Sequence, residues 1–290
     1  MSDDLLDLWE SQADPDQGFE LQAKLDRQRL LNAQNKKTKY NWRGFIYPSG
    51  LEWGMCMAHH VYHNLAENKK DRPPSLLGEE RMARGQALHE MWNKLLLQTD
   101  LLYDKPNYPD FIQKILADKE ERKSVKDFPE IFIADEDWFT RGWIDFVYKT
   151  REGRISIREI DNTIFPAIGD FKSTNKSEKD WEDFIKQTKE KGPDISQETQ
   201  LYTYYCHAVK HKYYDKDPQQ LRLCFSNSCV FGIKGKEHRF EWACPIIQYK
   251  VNKTIRLLDE GGLQVRRFKA EEPEVCSYED CKEHGNKLEL

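Results

Sequence analysis

The sequence predicts an α/β domain with a central mixed β-sheet flanked by helices. Two helical segments with regularly spaced apolar residues come before a group of short runs rich in β-branched and aromatic residues. Later strand-like runs alternate with further helical segments. The 290 residues are enough for one large domain or for a domain with an appendage.

The predicted elements follow one another along the whole chain. Helices are expected near 49–67, 79–98, 196–212 and 248–260. Consecutive strands, at least partly antiparallel, are expected over 130–134, 139–149, 154–160 and 168–172, and two later strands over 221–233 and 238–246. The charged stretch 176–191 is expected to be a helix or an ordered loop. We divide the chain into an N-terminal helical arm (1–48), a main domain (49–265) and a C-terminal tail (266–290), which could pack on the entry helix.

Composition limits the class of protein. Hydrophobic residues make up 38% and charged residues 33%, which is typical of a soluble protein with a packed core. No run is long enough to span a membrane and the acidic start is unlike a secretory signal, so we expect a cytoplasmic protein. Because the net charge is -5, nucleic acid would have to bind at a local basic surface.

The segment Gly169-Asp170-Phe171-Lys172 can carry chemistry. Side chains alternate between the faces of a strand, so Asp170 and Lys172 project from one side, about 7 Å apart. The carboxylate could hold a divalent cation and the ammonium could orient a water or balance phosphate charge. Taken alone, an acid and a lysine at this spacing also fit an ordinary exposed strand.

A second acid lies upstream on another predicted strand. Asp145 shares its strand face with Trp143 and Val147, which predicts that it is buried. A buried carboxylate is costly unless it is paired or bound to a metal ion. The other interpretation is an aspartate at a strand edge that accepts hydrogen bonds from a turn.

Two helices offer further polar groups. His89 borders the apolar stripe of its helix, and Gly85, one turn earlier, lowers helix propensity by about 1 kcal/mol relative to alanine. Gln200 and Tyr204 share one face of a later helix. Each of these residues also fits an ordinary packed helix.

Taken in order, these motifs are G-x-x-x-H, a glutamate (Glu130) that opens a strand, G-x-x-D, D-x-K and Q-x-x-x-Y. With this order, residues 49–260 resemble the RecB-like nucleases of the PD-(D/E)XK superfamily, which include phage exonucleases and CRISPR-associated nucleases. Ser49-Gly50-Leu51 followed by Cys56 is similar to the entry helix of that family.

The resemblance implies a restriction-endonuclease-like core and assigns roles to residues. Metal ligands would be His89, Asp145, Asp170 and the carbonyl of Phe171, and Lys172 would be the catalytic lysine. Glu130, Gln200 and Tyr204 would support catalysis or contact substrate. Carboxylate, carbonyl and water ligands suit one or two Mg²⁺ or Mn²⁺ ions, and the imidazole favours Mn²⁺.

Two features depart from the family pattern. Asp145 and Asp170 are further apart in the chain than usual, which leaves Asp161 as a rival ligand; Asp170 is preferred because a lysine follows it two residues later. Several members of this family bind an iron–sulfur cluster through one cysteine early in the chain and three late ones. Here a cluster or zinc could be held by Cys56, Cys276, Cys281 and His284. Because the late segment has only two cysteines, we favour no cluster. We expect Cys206, Cys224, Cys229 and Cys244 to be reduced core thiols.

The resemblance implies metal-dependent hydrolysis of DNA phosphodiester bonds at single strands or duplex ends, with little sequence specificity, in a phage or bacterial recombination or repair setting. Candidate DNA contacts are Arg81, Arg84, Lys176, Lys179, Lys186, Lys189 and Lys191, although nearby acids also allow a solvated face. The alternative function is a non-catalytic nucleic-acid-binding or assembly protein that keeps the fold. The N-terminal arm could pair with a protein partner.

Overall fold

A nine-residue strand with a mostly buried middle lies at the centre of the fold. The computed structural model describes residues 44–65, 76–151, 155–156, 159–160, 164–172, 183, 186–187, 193–225, 228–230 and 245–270. Residues 76–86 belong to one compact unit and the other described residues to a second. The domain boundaries predicted from the sequence stay predictions.

The described helices are α1 (Met57–Leu65), α2 (Leu76–Leu96), α3 (Asp110–Ala117), α4 (Lys119–Arg122), α5 (Ile195–Lys210) and α6 (Pro245–Ala270). The described strands are β1 (Ile131–Asp135), β2 (Thr140–Ile144), β3 (Phe146–Arg151), β4 (Ile155–Ser156), β5 (Glu159–Ile160), β6 (Ile164–Lys172), β7 (Gln220–Phe225) and β8 (Ser228–Val230). The chain is therefore mixed α/β, as predicted. Among the described helices, none has the length and apolar character needed to cross a membrane.

The strands form three sheets rather than one. The largest has the order β3-β6-β7-β8 and is mixed, because β6 pairs antiparallel with β3 and parallel with β7. β1 and β2 form a separate antiparallel pair, and β4 and β5 form another. Residues 166–171 of β6 are all buried, as expected for a strand whose two faces are both covered by other elements.

Helices cover both faces of β6. On one face, Phe171 stacks on Phe146 of β3 and on Trp92 of α2, with ring centroids 4.5 and 5.6 Å apart. On the other face, Gln200 of α5 contacts Asp170. Because neighbouring side chains of a strand alternate, residues 87–96 of α2 lie on the opposite side of the sheet from α5.

Three predicted elements differ from the structure at identifiable residues. The expected strand 139–149 is broken at Asp145, which separates β2 from β3. The expected helix 49–67 begins only at Met57, because Gly54 has a φ of 89°, which a right-handed helix excludes. The expected strand 221–233 turns back between Phe225 and Ser228.

Strands β4 and β5 divide the predicted strand 154–160. The predicted strand 238–246 is wrong at its end, where α6 begins at Pro245, a residue favoured in the first turn of a helix, and the rest lies outside the described residues. The structure bears out the helices expected near 79–98, 196–212 and 248–260.

The coil before α1 is tied to two distant helices through Trp53. Its backbone N–H donates to Thr199 of α5 at 3.3 Å, and its indole N–H donates to Thr254 of α6 at 3.0 Å. Trp53 and Thr254 are buried, so these bonds satisfy polar groups that water does not reach. They fix α5 and α6 to the same segment.

The prediction of reduced thiols is wrong for Cys224, which is in a disulfide. The register places the backbone of Cys229 opposite Cys224 across the β7–β8 pair, a spacing that suits a disulfide. Cys206 is buried and not in a disulfide, as expected, and the side chain of Cys244 lies outside the described residues.

Gly262 of α6 offers a test of how this helix packs on the β1–β2 turn. A Cβ added there would lie 2.0 Å from the carbonyl oxygen of Asp137, so the helix can approach this backbone only with glycine. Glycine to alanine within a helix ordinarily stabilises by about 1 kcal/mol. We expect Gly262→Ala to lower the free energy of unfolding instead, by about 2 kcal/mol or more, as measured by urea denaturation.

Leu263→Ala, one residue later, serves as the matched control, since that side chain is 39% exposed. It should change stability much less than Gly262→Ala. A stabilised Gly262→Ala protein would show that α6 does not pack closely on the β1–β2 turn.

Candidate functional site

Two aspartates lie opposite each other at the ends of β3 and β6. Phe146 pairs with Gly169, so one further step of the antiparallel register places Asp145 opposite Asp170. Gly169 has no side chain because the ring of Phe146 occupies that space: an added Cβ would lie 2.1 Å from it. Asp145 and Asp170 are 25 residues apart in the chain, more than in the family pattern. The chain between them runs through β3, β4, β5 and most of β6, and the pairing of β3 with β6 brings the two acids together.

Both carboxylates are buried, with exposures of 7% for Asp145 and 2% for Asp170. Asp145 accepts the backbone N–H of Phe171 at 2.6 Å, which holds its carboxylate beside β6. Burial raises the pKa of Asp145 well above its usual value, and the neighbouring charge of Asp170 raises it further. A bound cation would relieve both effects.

The charge of Asp170 is met by groups from β6 and α5. Lys172 Nζ lies 2.8 Å from Asp170 Oδ2 and donates to Gln200 Oε1 at 2.9 Å. Gln200 Nε2 lies 3.3 Å from Asp170 Oδ1 and also donates to the hydroxyl of Tyr204. Burial and Asp170 raise the pKa of Tyr204, so this residue stays a neutral phenol.

A histidine and a glutamate complete the cluster. His89 Nδ1 of α2 is 3.6 Å from Asp145 Oδ1, and the edge of its ring contacts Phe171, with centroids 5.9 Å apart. Glu130, just before β1, has a buried carboxylate. Burial lowers the pKa of His89, and the charge of Lys126 lowers it further, which favours the neutral imidazole that binds metal ions.

The donor set fits a divalent cation. One atom each from His89, Glu130 and Asp145 lies within 4.8 Å of the other two. Opposite ligands of Mg²⁺ or Mn²⁺, with bonds of about 2.1 Å, are about 4.2 Å apart. Only a small inward movement would therefore bring the three donors to bonding distance.

The structure adds Glu130 to the residues that could hold a cation, and the predicted ligand set stays a prediction. Glu130, which was expected to support catalysis, forms the close group with His89 and Asp145, while Asp170 is engaged by Lys172 and Gln200. The ring of Phe171 lies on the opposite face of the sheet from Asp170, so of this residue only the backbone carbonyl, as predicted from the family, could serve as a ligand. Asp170 remains close enough to Asp145 to raise its pKa.

Several predicted residues cannot be placed. Lys176, Lys179, Lys189, Lys191, Asp161, Cys276, Cys281 and His284 lie outside the described residues, as do the side chain of Arg81 and the arm up to residue 43. Arg84 and Lys186 are exposed, and Cys56 is half-buried just before α1.

Sequence reasoning missed one cation beside the site. Lys126 Nζ lies 2.7 Å from Glu130 Oε1. The four-residue spacing could have suggested the pair, but these residues lie in a loop where that spacing does not fix a contact.

No protein-family model matches the chain, and no curated protein is significantly similar to it in sequence. The resemblance to RecB-like nucleases therefore stays a prediction from motifs.

The buried acids predict a pH-dependent gain from neutralising one of them. Below the usual carboxyl pKa, Asp145 is protonated in both folded and unfolded chains, so Asp145→Asn should change little. Above that pH the unfolded chain ionises freely while the fold resists, because the folded pKa is raised. We expect Asp145→Asn to stabilise the metal-free protein at pH 7 by on the order of 1 kcal/mol, as measured by urea denaturation in EDTA.

Asp104→Asn is the control, since Asp104 is exposed and should show no such gain. An Asp145→Asn protein less stable than wild type at pH 7 would mean that the carboxylate is satisfied without a metal ion.

Proposed function

We propose that the chain is a Mg²⁺- or Mn²⁺-dependent nuclease with a PD-(D/E)XK-type core, which hydrolyses DNA phosphodiester bonds with little sequence specificity. The observation that carries the proposal is the meeting of His89, Glu130 and Asp145 beside the Asp170–Lys172 pair. An imidazole, two acids and an adjacent acid–amine pair are suited to metal-assisted phosphodiester hydrolysis.

His89, Glu130 and Asp145 would hold the ion, with Asp170 as a further carboxylate at its side. The ion would supply Lewis acidity, which activates water and offsets charge on the phosphate. The neutral imidazole next to two carboxylates favours Mn²⁺ over Mg²⁺.

Lys172 and Gln200 have the positions of an acid–base and orienting pair. The side chain of Lys172 is 26% exposed, so its ammonium could reach a substrate phosphate or a water while it remains 2.8 Å from Asp170. Gln200 holds it from the other side. Such prior orientation lowers the cost of ordering these groups in the transition state.

Action on DNA ends rests on the resemblance alone. The rival function, a nucleic-acid-binding or assembly protein, would keep the fold and bind nucleic acid without cleaving it. The presence in this chain of all the expected catalytic residue types counts against this rival.

The nuclease proposal predicts that cleavage depends on the acid–amine pair. We expect linear DNA to be degraded in Mn²⁺ or Mg²⁺, and Asp170→Asn and Lys172→Met to lower the rate at least about 100-fold. Gel assays with linear, nicked and circular DNA measure the rate and show whether ends are required. Lys105→Met, an exposed lysine, is the control.

Wild-type activity in both variants would exclude this site. Binding of DNA without cleavage by folded wild-type protein would favour the assembly function.

Metal binding gives a test that does not require activity. We expect Mn²⁺ to raise the melting temperature of the wild-type protein, because an ion that binds only the folded state stabilises it by an amount that grows with the logarithm of its concentration divided by its dissociation constant. Glu130→Gln and Asp145→Asn should each weaken Mn²⁺ binding at least about tenfold, as measured by calorimetry. Asp104→Asn should bind as wild type, and undiminished binding in the first two variants would remove them from the ligand set.

A further inference from the structure

The cation next to the proposed metal ligands is itself placed to respond to metal binding. Lys126 Nζ lies 2.7 Å from Glu130 Oε1 and 5.8 Å from the ring centroid of Trp143. The two partners differ in environment: the side chain of Lys126 is 51% exposed, while that of Glu130 is 6% exposed. Lys126 is thus a surface lysine whose ammonium contacts a buried carboxylate.

Glu130 cannot serve Lys126 and a divalent ion equally. A Mg²⁺ or Mn²⁺ ion on Glu130 would take up the carboxylate charge that holds Lys126 and would repel the nearby ammonium. Because its stem is half exposed, Lys126 can turn towards solvent without losing core contacts. An ammonium freed in this way would face solvent near the proposed metal ligands, where it could meet a phosphate attracted to the bound ion.

We propose that Lys126 is a phosphate-binding residue that metal binding releases from Glu130. Without the ion it neutralises Glu130; with the ion it binds a non-bridging oxygen of a nucleic-acid phosphate. This rests on the proposed function, since it needs an ion at Glu130. It also names the kind of molecule that Lys126 would bind: a phosphodiester backbone, recognised by its charge.

Lys172 does not have the same freedom. It is 26% exposed and contacts both Asp170 and Gln200, so loss of one partner leaves it held by the other. Lys126 has Glu130 as its one hydrogen-bond partner among the described residues, together with the face of Trp143. The exchange is therefore assigned to Lys126 rather than to the lysine of the D-x-K strand.

The test compares Lys126→Met with Lys126→Arg and with Lys123→Met in the full chain. Lys123 is a matched control, since it pairs with Glu120 on the surface, with exposures of 70% and 82%. Mn²⁺ affinity is measured by calorimetry. DNA affinity is measured with and without Mn²⁺ on a fluorescent phosphorothioate oligonucleotide, which resists cleavage.

Lys126→Met should have opposite effects on the two ligands. It should tighten Mn²⁺ binding roughly threefold to tenfold, because Glu130 no longer has a competing cation. It should also weaken oligonucleotide binding in Mn²⁺ about tenfold and lower the slope of log affinity against log salt by about 0.7. Lys126→Arg should keep most of the Mn²⁺-dependent oligonucleotide binding, and Lys123→Met should change neither measurement.

Two results would overturn the proposal: unchanged Mn²⁺ affinity in Lys126→Met, or a Mn²⁺-dependent gain in oligonucleotide affinity equal to that of the wild type. Weaker binding of both ligands would indicate a structural role and also contradict it. DNA cleavage is scored separately. A wild-type protein that binds Mn²⁺ but does not cleave would refute the nuclease and leave the Lys126 measurements decisive, whereas one that does not bind Mn²⁺ would refute both.

Discussion

The opposition of two buried carboxylates, Asp145 and Asp170, is the constraint on which the rest of the site depends. The β3–β6 register brings them together, and burial leaves their repulsion largely unscreened by water. The neighbouring groups answer this charge: the N–H of Phe171 on one acid, and Lys172 and Gln200 on the other. Lys172 offsets the charge of Asp170, whereas the pKa of Asp145 remains raised by burial and by Asp170, and this is the physical basis for proposing a metal ion there.

Helix α5, which carries Gln200, is anchored to β1 at its C-terminal end. Asp135 of β1 accepts hydrogen bonds from His211 at 2.7 Å and from the backbone of Trp138 at 2.8 Å, and pairs with Lys210 at 2.6 Å. Burial alone would raise the pKa of Asp135, but the bonds from His211 and Lys210 lower it, so the residue stays ionised. The same helix thus has a charged anchor on β1 through Lys210 and, about three turns earlier, the polar side chain of Gln200 in the site. Orientation of Gln200 depends on packing well outside the cleft.

The sequence was sufficient for local geometry and insufficient for pairing. Alternation in a strand predicted that Asp170 and Lys172 share a face, and helical spacing predicted the contact of Gln200 with Tyr204; both are observed. The register of β3 on β6 depends on tertiary contacts across the intervening chain, so no local pattern could place Asp145 opposite Asp170. The place of Glu130 beside His89 and Asp145 is likewise a tertiary contact, so the sequence predicted only a supporting role in catalysis for this residue. The break at Gly54 was visible in the sequence, but glycine within a helical pattern is tolerated often enough to be overlooked.

The charge balance of the carboxylates and ammonium groups at the site explains how an acidic chain could hold a polyanion. With every group ionised, the three carboxylates of Glu130, Asp145 and Asp170 exceed the two ammonium groups of Lys126 and Lys172 by one negative charge. A bound divalent ion reverses this balance to one positive charge. A phosphate would therefore be repelled from the metal-free site and attracted to the site with a bound ion, even though the whole chain has a net charge of -5. Metal binding would then do more than supply chemistry, since it would decide whether the backbone of a nucleic acid can approach the acids at all.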